Sequence, residues 1–511
     1  MRAADQLPEI FNAAEWFVGR HRLQGRGEKP ALLGDEGTLT FAQLDDAVRQ
    51  FAQGLINAGV HAGDRVALIL PDSQLLSIGF WGSIAMGAVA VPVNTLLKPA
   101  DHLTIIDNCG AHVVIADPSL TDLDLLGSAA AGSPIVWNPA QALAIWQACP
   151  RLAQYKPTHR DDMAFFLYSS GTTGEPKGVV HLQHDMWASA HTYGQAVLQV
   201  KAEDRCLSVA KLFFAYGLGN AQYLPFHVGA AAILYGGRPT PEAVFAQVQA
   251  HQPTLFFGVP TAYANLLAQK DVDLRTIFSS VHRCVSAGES LPGPLLQRWQ
   301  EQTGLEILDG IGSTEIVHIF ISNRIGKTRA GSTGVAVPGY DLRIVDDTGA
   351  DASRGELGEL LVRGDSTMAM YWRKHEATKA TLRGEWIRTG DRYYQDEDGY
   401  YYHGGRSDDM LKVGGIWVSP VEVEGVIIAH PAVLECAVVG EQDTDGLTKV
   451  RAYVTLRPEQ QDGDWPSEIK MFTKERLAAY KCPRWVTIVA ELPKTATGKI
   501  QRYILRQQSG S

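Results

Sequence analysis

Eleven consecutive residues, Tyr168-Ser169-Ser170-Gly171-Thr172-Thr173-Gly174-Glu175-Pro176-Lys177-Gly178, directly follow an apolar run. Their glycines free the backbone, their amides and hydroxyls can wrap a polyanion, and Lys177 adds positive charge. The pattern is not GxxxxGK[ST], so it is not the phosphate loop of ordinary nucleotidases. A Gly/Ser/Thr tract alone is also compatible with a solvated loop. A second stretch, Phe213-Phe214-Ala215-Tyr216-Gly217-Leu218-Gly219-Asn220, sets aromatic walls beside glycine and alanine gaps. It suits a flat slot for a planar ring, and equally a plain core cluster.

Residues so far apart need a scaffold to bring them together. Short apolar runs at Val66–Leu70, Val113–Ala116, Ala164–Tyr168, Ala231–Tyr235 and Thr254–Gly258 alternate with helical periodicity, as in Phe41–Ala58 and Pro241–Ala250. That alternation predicts an α/β fold of mostly parallel sheets covered by helices. After about residue 335 the texture turns to strands and turns (Asp341–Val345, Gly358–Arg363), a β-rich subdomain. Beyond Gly404 comes a compact α+β unit: helix Val421–Ala429, strands Leu434–Gly440 and Val450–Leu456, helix Ser467–Tyr480, and a strand near Val486. The expected division is therefore 1–404 and 405–511.

The chain has 511 residues, 46 basic and 56 acidic, for a net charge of −10. This excludes a disordered or collagen-like chain and argues against generic binding to nucleic acid or anionic membranes. Six scattered cysteines without a CxxC pair indicate neither a disulfide scaffold nor a zinc site. No apolar signal segment precedes Glu9. Ser73 to Leu97 is free of charge, but its glycines and Pro92 read as a helix feeding a buried strand rather than a membrane span. These features predict a cytoplasmic protein, and a homodimer is compatible with all of them.

The stretch from Tyr168 to Gly178 resembles the phosphate-binding loop of adenylate-forming enzymes: acyl-CoA synthetases, adenylation domains and luciferases. Four further segments match in order. They are Ser286–Glu289; Asp309-Gly310-Ile311-Gly312-Ser313-Thr314-Glu315; Arg388–Asp391 with Gly405–Asp409; and Pro493-Lys494-Thr495-Ala496-Thr497-Gly498-Lys499-Ile500. The resemblance covers nearly the whole chain.

It implies ATP, Mg²⁺ and coenzyme A. Ser169, Ser170, Gly171, Thr172, Thr173, Gly174 and Lys177 would cradle the phosphates. Thr314 would contact the α-phosphate and Glu315 would help hold Mg²⁺. Lys499 would approach both the carboxylate and the α-phosphate. Gly288, Glu289, Asp309 and Ile311 would line the adenine slot, Gly310 and Gly312 would also bind the cofactor, and Asp391 and Arg406 would lie at the ribose. Asp408 would be a hinge, exchanging Lys499 for the Lys412–Gly415 segment, where Lys412 and Gly414 border the thiol's path.

The aromatic string and the residues after Glu315 resemble those of benzoate–CoA ligases. Ala215, Tyr216, Gly217, Ala287, Gly312 and His318 would then bind a benzoate-type acid (benzoate, 2-aminobenzoate or a hydroxybenzoate), with Val259 also tuning the slot. His318 reads either as facing the ring or as a satisfied core histidine. Free CoA is the expected acceptor, because no carrier-protein domain follows residue 511. An aryl-acid adenylation enzyme loading a separate carrier is the alternative, and a nucleotide-binding regulator without catalysis is opposed by Lys177, Glu315, Asp391 and Lys499.

Overall fold

Thr40 opens the first long helix with a reciprocal cap: its hydroxyl accepts from the Gln43 amide at 3.2 Å, and the Gln43 side chain accepts from the Thr40 amide at 2.9 Å. The helix Phe41–Asn57 then buries Phe41, Leu44, Val48, Phe51, Ala52 and Leu55, a stripe at three- and four-residue spacing. It packs on Gln74–Ala85, the uncharged helix, whose residues from Leu75 onward are all buried and whose first turn is capped by Ser73. That helix feeds the wholly buried strand Val89–Pro92, as the sequence predicts. Among the described residues no helix is long and apolar enough to cross a membrane.

The computed structural model describes residues 3–130, 132–170, 176–407, 409–413, 416–443, 447–457, 460, 463–494 and 500–509. Two large sheets dominate. One has seven strands, with Ile135–Trp137, Ala111–Ala116, Arg65–Ile69, Val89–Pro92 and Met163–Ser170 parallel in that spatial order. Pro176–Leu182 returns antiparallel along its edge, followed by Met370–Tyr371. The other has nine strands; from Pro30–Gly34 to Ile307–Gly312 its members are parallel, and antiparallel strands close both ends. A third, antiparallel sheet holds Asp341–Val345, Gly358–Arg363, Leu382–Arg383, Trp386–Gln395 and Tyr401–Arg406.

The small C-terminal domain is a three-stranded sheet (Val433–Gln442, Thr448–Leu456, Trp485–Ile488) with the helices Pro420–Ile428, Trp465–Lys474 and Arg502–Ser509, preceded by the ribbon Leu411–Val413/Ile416–Val418. It has its own apolar core around Val423, Ile427, Val438 and Ile469. All six cysteines are unpaired.

Candidate active site

The hairpin of the seven-stranded sheet brings Ser169 opposite Lys177 and Ser170 opposite Pro176. Both serines still belong to the strand Met163–Ser170, and the connecting residues Gly171, Thr172, Thr173 and Gly174 lie outside the described residues. Lys177 Nζ stands 5.3 Å over the ring of Tyr371. The Tyr371 hydroxyl in turn donates to Glu315 Oε1 at 2.8 Å. Burial, then the neighbouring carboxylate, push the Tyr371 phenol up, so it stays a donor. Cation, phenol and carboxylate thus stand in succession, contributed by the last two strands at one side of one sheet and the end of the other.

Glu315 sits in the single turn Thr314–Ile316, just past the strand Ile307–Gly312. Gly312 is held so close to the antiparallel return that an added Cβ would lie 2.5 Å from the His318 carbonyl oxygen. Asp309, on the same strand, is buried opposite Ser286, and burial raises its carboxyl well above the ordinary range. Gly310 and Ile311 follow it. Ala287 is buried, while Gly288 is exposed at the strand end beside Val259. Glu289 accepts from Thr261 Oγ1 at 3.3 Å.

Asp391 and Arg406 are cross-strand partners in the third sheet, with Arg406 Nη1 3.3 Å from Asp391 Oδ1. His403 Nε2 lies 3.5 Å from the same oxygen, and His403 Nδ1 is 2.8 Å from Ser290 Oγ. Burial acts to raise the Asp391 carboxyl, but bonds and charges from His403 and Arg406 outweigh it and hold the group below its usual range. An ionised acceptor beside the Ser286–Ser290 segment is what a ribose diol needs.

The aromatic string folds as the short helix Ala215–Leu218 followed by a wider turn. The Tyr216 hydroxyl donates to the Gly258 carbonyl at 3.1 Å, at a strand end of the nine-stranded sheet. Gly219 admits His318 closely: a Cβ there would stand 2.3 Å from the imidazole Cδ2. His318 is buried among Tyr193, Tyr216 and Tyr223, with ring centroids at 5.3, 5.6 and 6.1 Å. Burial pushes its pKa down to about 3, so the ring is neutral.

The His318 tautomer follows from a chain of bonds. Ser208 Oγ donates to the Ala210 carbonyl and accepts from Asn220 Nδ2 at 3.2 Å, which turns Asn220 Oδ1 toward His318 Nε2 at 3.1 Å. Nε2 therefore carries the proton, and Nδ1 is a buried lone pair with no hydrogen-bond partner among the described residues. Ala215 and Gly217 are buried in the same wall.

These groups come from the two large sheets and, for Asp391, His403 and Arg406, from the third; a family model described as AMP-binding enzyme matches residues 19–372. The chain belongs to the AMP-binding enzyme family. The AMP-binding enzyme C-terminal domain matches residues 422–499. The chain is 43% identical to the benzoate–CoA ligase of Thauera aromatica, over 98% of this chain and 97% of that one. Among solved structures, a benzoate CoA ligase from Burkholderia xenovorans LB400 superposes at TM-score 0.91 with 42% identity, covering 97% of this chain and all of that one. An anthranilate CoA ligase in complex with anthranoyl-AMP superposes at TM-score 0.94 with 42% identity, over 100% and 99% of the two chains.

Lys499, Asp408 and Gly414 lie outside the described residues. Around them, Lys494 and Ile500 form an isolated bridge, Lys494 Nζ pairs with Glu435 at 2.6 Å, and Lys412 is exposed on the ribbon opposite Trp417. Sequence reasoning missed Tyr371 and His403. Neither carries a local signal: sheet register alone brings Tyr371 opposite Val179, two residues along the strand from Lys177, and His403 opposite Tyr393.

Proposed function

We propose that this chain is an ATP-dependent aryl-CoA ligase that activates a benzoate-type acid as an aroyl-adenylate and transfers the acyl group to coenzyme A. The observation that carries this reading is the spacing of Glu315 and His318. One short segment presents a carboxylate to the Lys177–Tyr371 side and an imidazole to the aromatic slot. A planar acid held by the slot therefore has its carboxylate within reach of a nucleotide phosphate held on the other side.

In the first step an acid oxygen attacks the α-phosphorus of ATP, and the bond to the bridging oxygen breaks as pyrophosphate leaves. Lys177 and the hydroxyl-rich loop receive the phosphate charge, and Lys499 pairs with the attacking carboxylate and the α-phosphate. Thr314 contacts the same phosphate. Asp391 and Arg406 hold the ribose, while Gly288, Glu289, Asp309, Gly310, Ile311 and Gly312 frame the adenine. Glu315 fits Mg²⁺, a hard ion that takes one or two protein carboxylates with phosphate oxygens and water; bound there, Mg²⁺ offsets phosphate charge. No cluster of three or more acidic, histidine or cysteine ligands occurs among the described residues, which suits an ion held chiefly by its nucleotide.

In the second step the CoA sulfur, after losing its proton, attacks the acyl carbon and AMP leaves. Lys499 must withdraw first, so the unit from 405 onward turns about Asp408 and brings Lys412 and Gly414 to the thiol's path. The buried lone pair of His318 Nδ1 supports an acid bearing a hydrogen-bond donor on its ring, an amino or hydroxyl group, over benzoate itself. Pyrophosphate release across a panel of benzoates, with and without CoA, tests the reading. Release that yields aroyl-CoA and AMP, fastest with a donor-bearing acid, is the expected result; release that leads to no thioester with CoA, or none with any aromatic acid, overturns it.

A further inference from the structure

The segment joining the phosphate side to the ring side is held by its backbone at every residue. Four successive carbonyls accept from four different donors: Thr314 from His181 Nε2 at 2.7 Å, Glu315 from the Met368 amide at 2.7 Å, Ile316 from Ser366 Oγ at 2.8 Å and Val317 from the Tyr223 hydroxyl at 3.1 Å. Val317 meanwhile sits at φ 69° and ψ −38°, a conformation that a β-branched residue avoids. Such strain persists only where the surroundings over-determine it.

His181 is the donor that the Glu315 chemistry does not itself explain. It is fully buried and stacked on Phe165, with centroids 5.0 Å apart at 21°. Its Nδ1 lies 2.7 Å from Asp185 Oδ2, and its Nε2 faces a carbonyl oxygen, which cannot donate, so Nε2 carries hydrogen. Asp185 Oδ2 also accepts from the Leu182 amide at 3.1 Å. With hydrogen on Nε2, the 2.7 Å contact between Nδ1 and Asp185 is closed by a further proton shared by that pair, and the two bonds together fix the ring plane with Nε2–H toward Thr314. His184 Nε2 stands 3.2 Å from Asp185 Oδ1 and 3.0 Å from the Asp365 carbonyl, next to the residues that hold Glu315 and Ile316. The supports on the two sides of the turn are therefore joined.

We propose that His181, oriented by Asp185, is a positioning residue for acid activation: through the Thr314 carbonyl it fixes Thr314 and Glu315 on the phosphate side while the strained Val317 turns His318 to the ring. This rests on the reading of Glu315 as the carboxylate of the phosphate site. Loss of the His181 donor leaves the Thr314 carbonyl with only the 3.2 Å bond from the Val317 amide, lets Val317 relax, and moves Glu315 out of register. Once pyrophosphate has left, the register of Glu315 with the departing phosphates no longer matters, and aroyl-AMP is by then one molecule held also through its adenine and ribose.

The test separates the two half-reactions. His181→Ala is expected to slow aroyl-AMP formation by roughly a hundredfold, the scale of an ångström-sized misplacement. CoA-dependent consumption of supplied aroyl-AMP should stay within about twofold of the parent. His181→Gln restores an amide donor and should recover most of the lost rate. Ser366→Ala, which frees the Ile316 carbonyl, should give the same selective loss and serves if His181→Ala does not fold. Equal losses in both half-reactions, or a Gln variant no better than Ala, overturn the proposal. Glu315→Gln is measured alongside: full adenylation there sinks the reading of the site itself, whereas a defective Glu315→Gln beside fully active His181 and Ser366 variants sinks only the role of the turn.

Discussion

His318 offers the sharpest residue-scale prediction, because its neutral state and its tautomer are both fixed by its surroundings. Nδ1 can only accept. His318→Leu should erase most of the preference for 2-amino- or hydroxybenzoate over benzoate, roughly a tenfold fall in the ratio of kcat/KM values, the scale of one hydrogen bond. An unchanged ratio across the acid panel would show that Nδ1 does not meet the substrate. Tyr371 makes a second case. Tyr371→Phe removes the hydroxyl from Glu315 Oε1 and should raise the Mg²⁺ concentration for half-maximal adenylation roughly tenfold, the lower end of the effect of a lost outer partner in a metal site. A Mg²⁺ titration superimposed on the parent's would refute that role.

Elements explain why part of the site could be read from sequence and part could not. The glycine- and hydroxyl-rich hairpin, the Thr314-Glu315 turn and the Asp391/Arg406 pair announce themselves because each is contiguous, or is carried by one hairpin. Helices with clean caps and stripes, such as Phe41–Asn57, end within a residue of expectation. The helix predicted to run to Tyr480 ends at Lys474 instead, and Ala479–Lys481 forms a separate single turn. Tyr371, His181 and His403 act across sheet pairings whose register no local pattern encodes.

The C-terminal helix shows the same long-range logic. Arg502 pairs with the buried Glu424 at 2.9 Å, and Arg502 and Arg506 both reach Asp409, the residue after the proposed hinge. Glu424 also accepts from the Val438 amide at 2.7 Å. Glu424→Ala should destabilise the small domain by about 3–5 kcal/mol, the usual cost of stranding a buried charge. Hydrogen exchange would then accelerate in Val433–Gln442 but not in Met163–Ser170; uniform protection in both would contradict it.

Across the whole molecule, three buried histidines, the neighbours His21 and His227 and the separate His318, carry one pH signature. Burial, as the largest effect, pushes the pKa values of His21, His227 and His318 down to about 3. In the unfolded chain such groups protonate near pH 6.5, so between those limits the unfolded state binds more protons. This contribution to stability is complete above about pH 6.5 and is lost as pH falls toward 3, at up to about 1.4 kcal/mol per unit for each histidine. Urea midpoints measured from pH 7 to pH 4 should fall accordingly, and His227→Gln should flatten the slope by about a third. An identical slope in that variant would mean His227 is not buried neutral. At the same scale, Lys499→Ala should abolish aroyl-AMP formation while sparing thioester formation from supplied aroyl-AMP, and Asp408→Pro should impair the thioester step most. Equal damage to both steps in either variant would count against a turning domain.

In the proposed function the Thr314–His318 turn serves nucleotide and aromatic acid at once, so the two faces of the enzyme are not free to change separately. Libraries that diversify Ile316, Val317 or His318 to accept a bulkier or more polar acid should accumulate poor catalysts, since each new side chain also shifts Glu315. Variation on the facing wall, at Ala215 and Tyr216, escapes that penalty and is where retargeting toward a new aromatic acid should begin; Gly217 stays fixed, because a Cβ there would lie 2.1 Å from the Lys211 carbonyl oxygen.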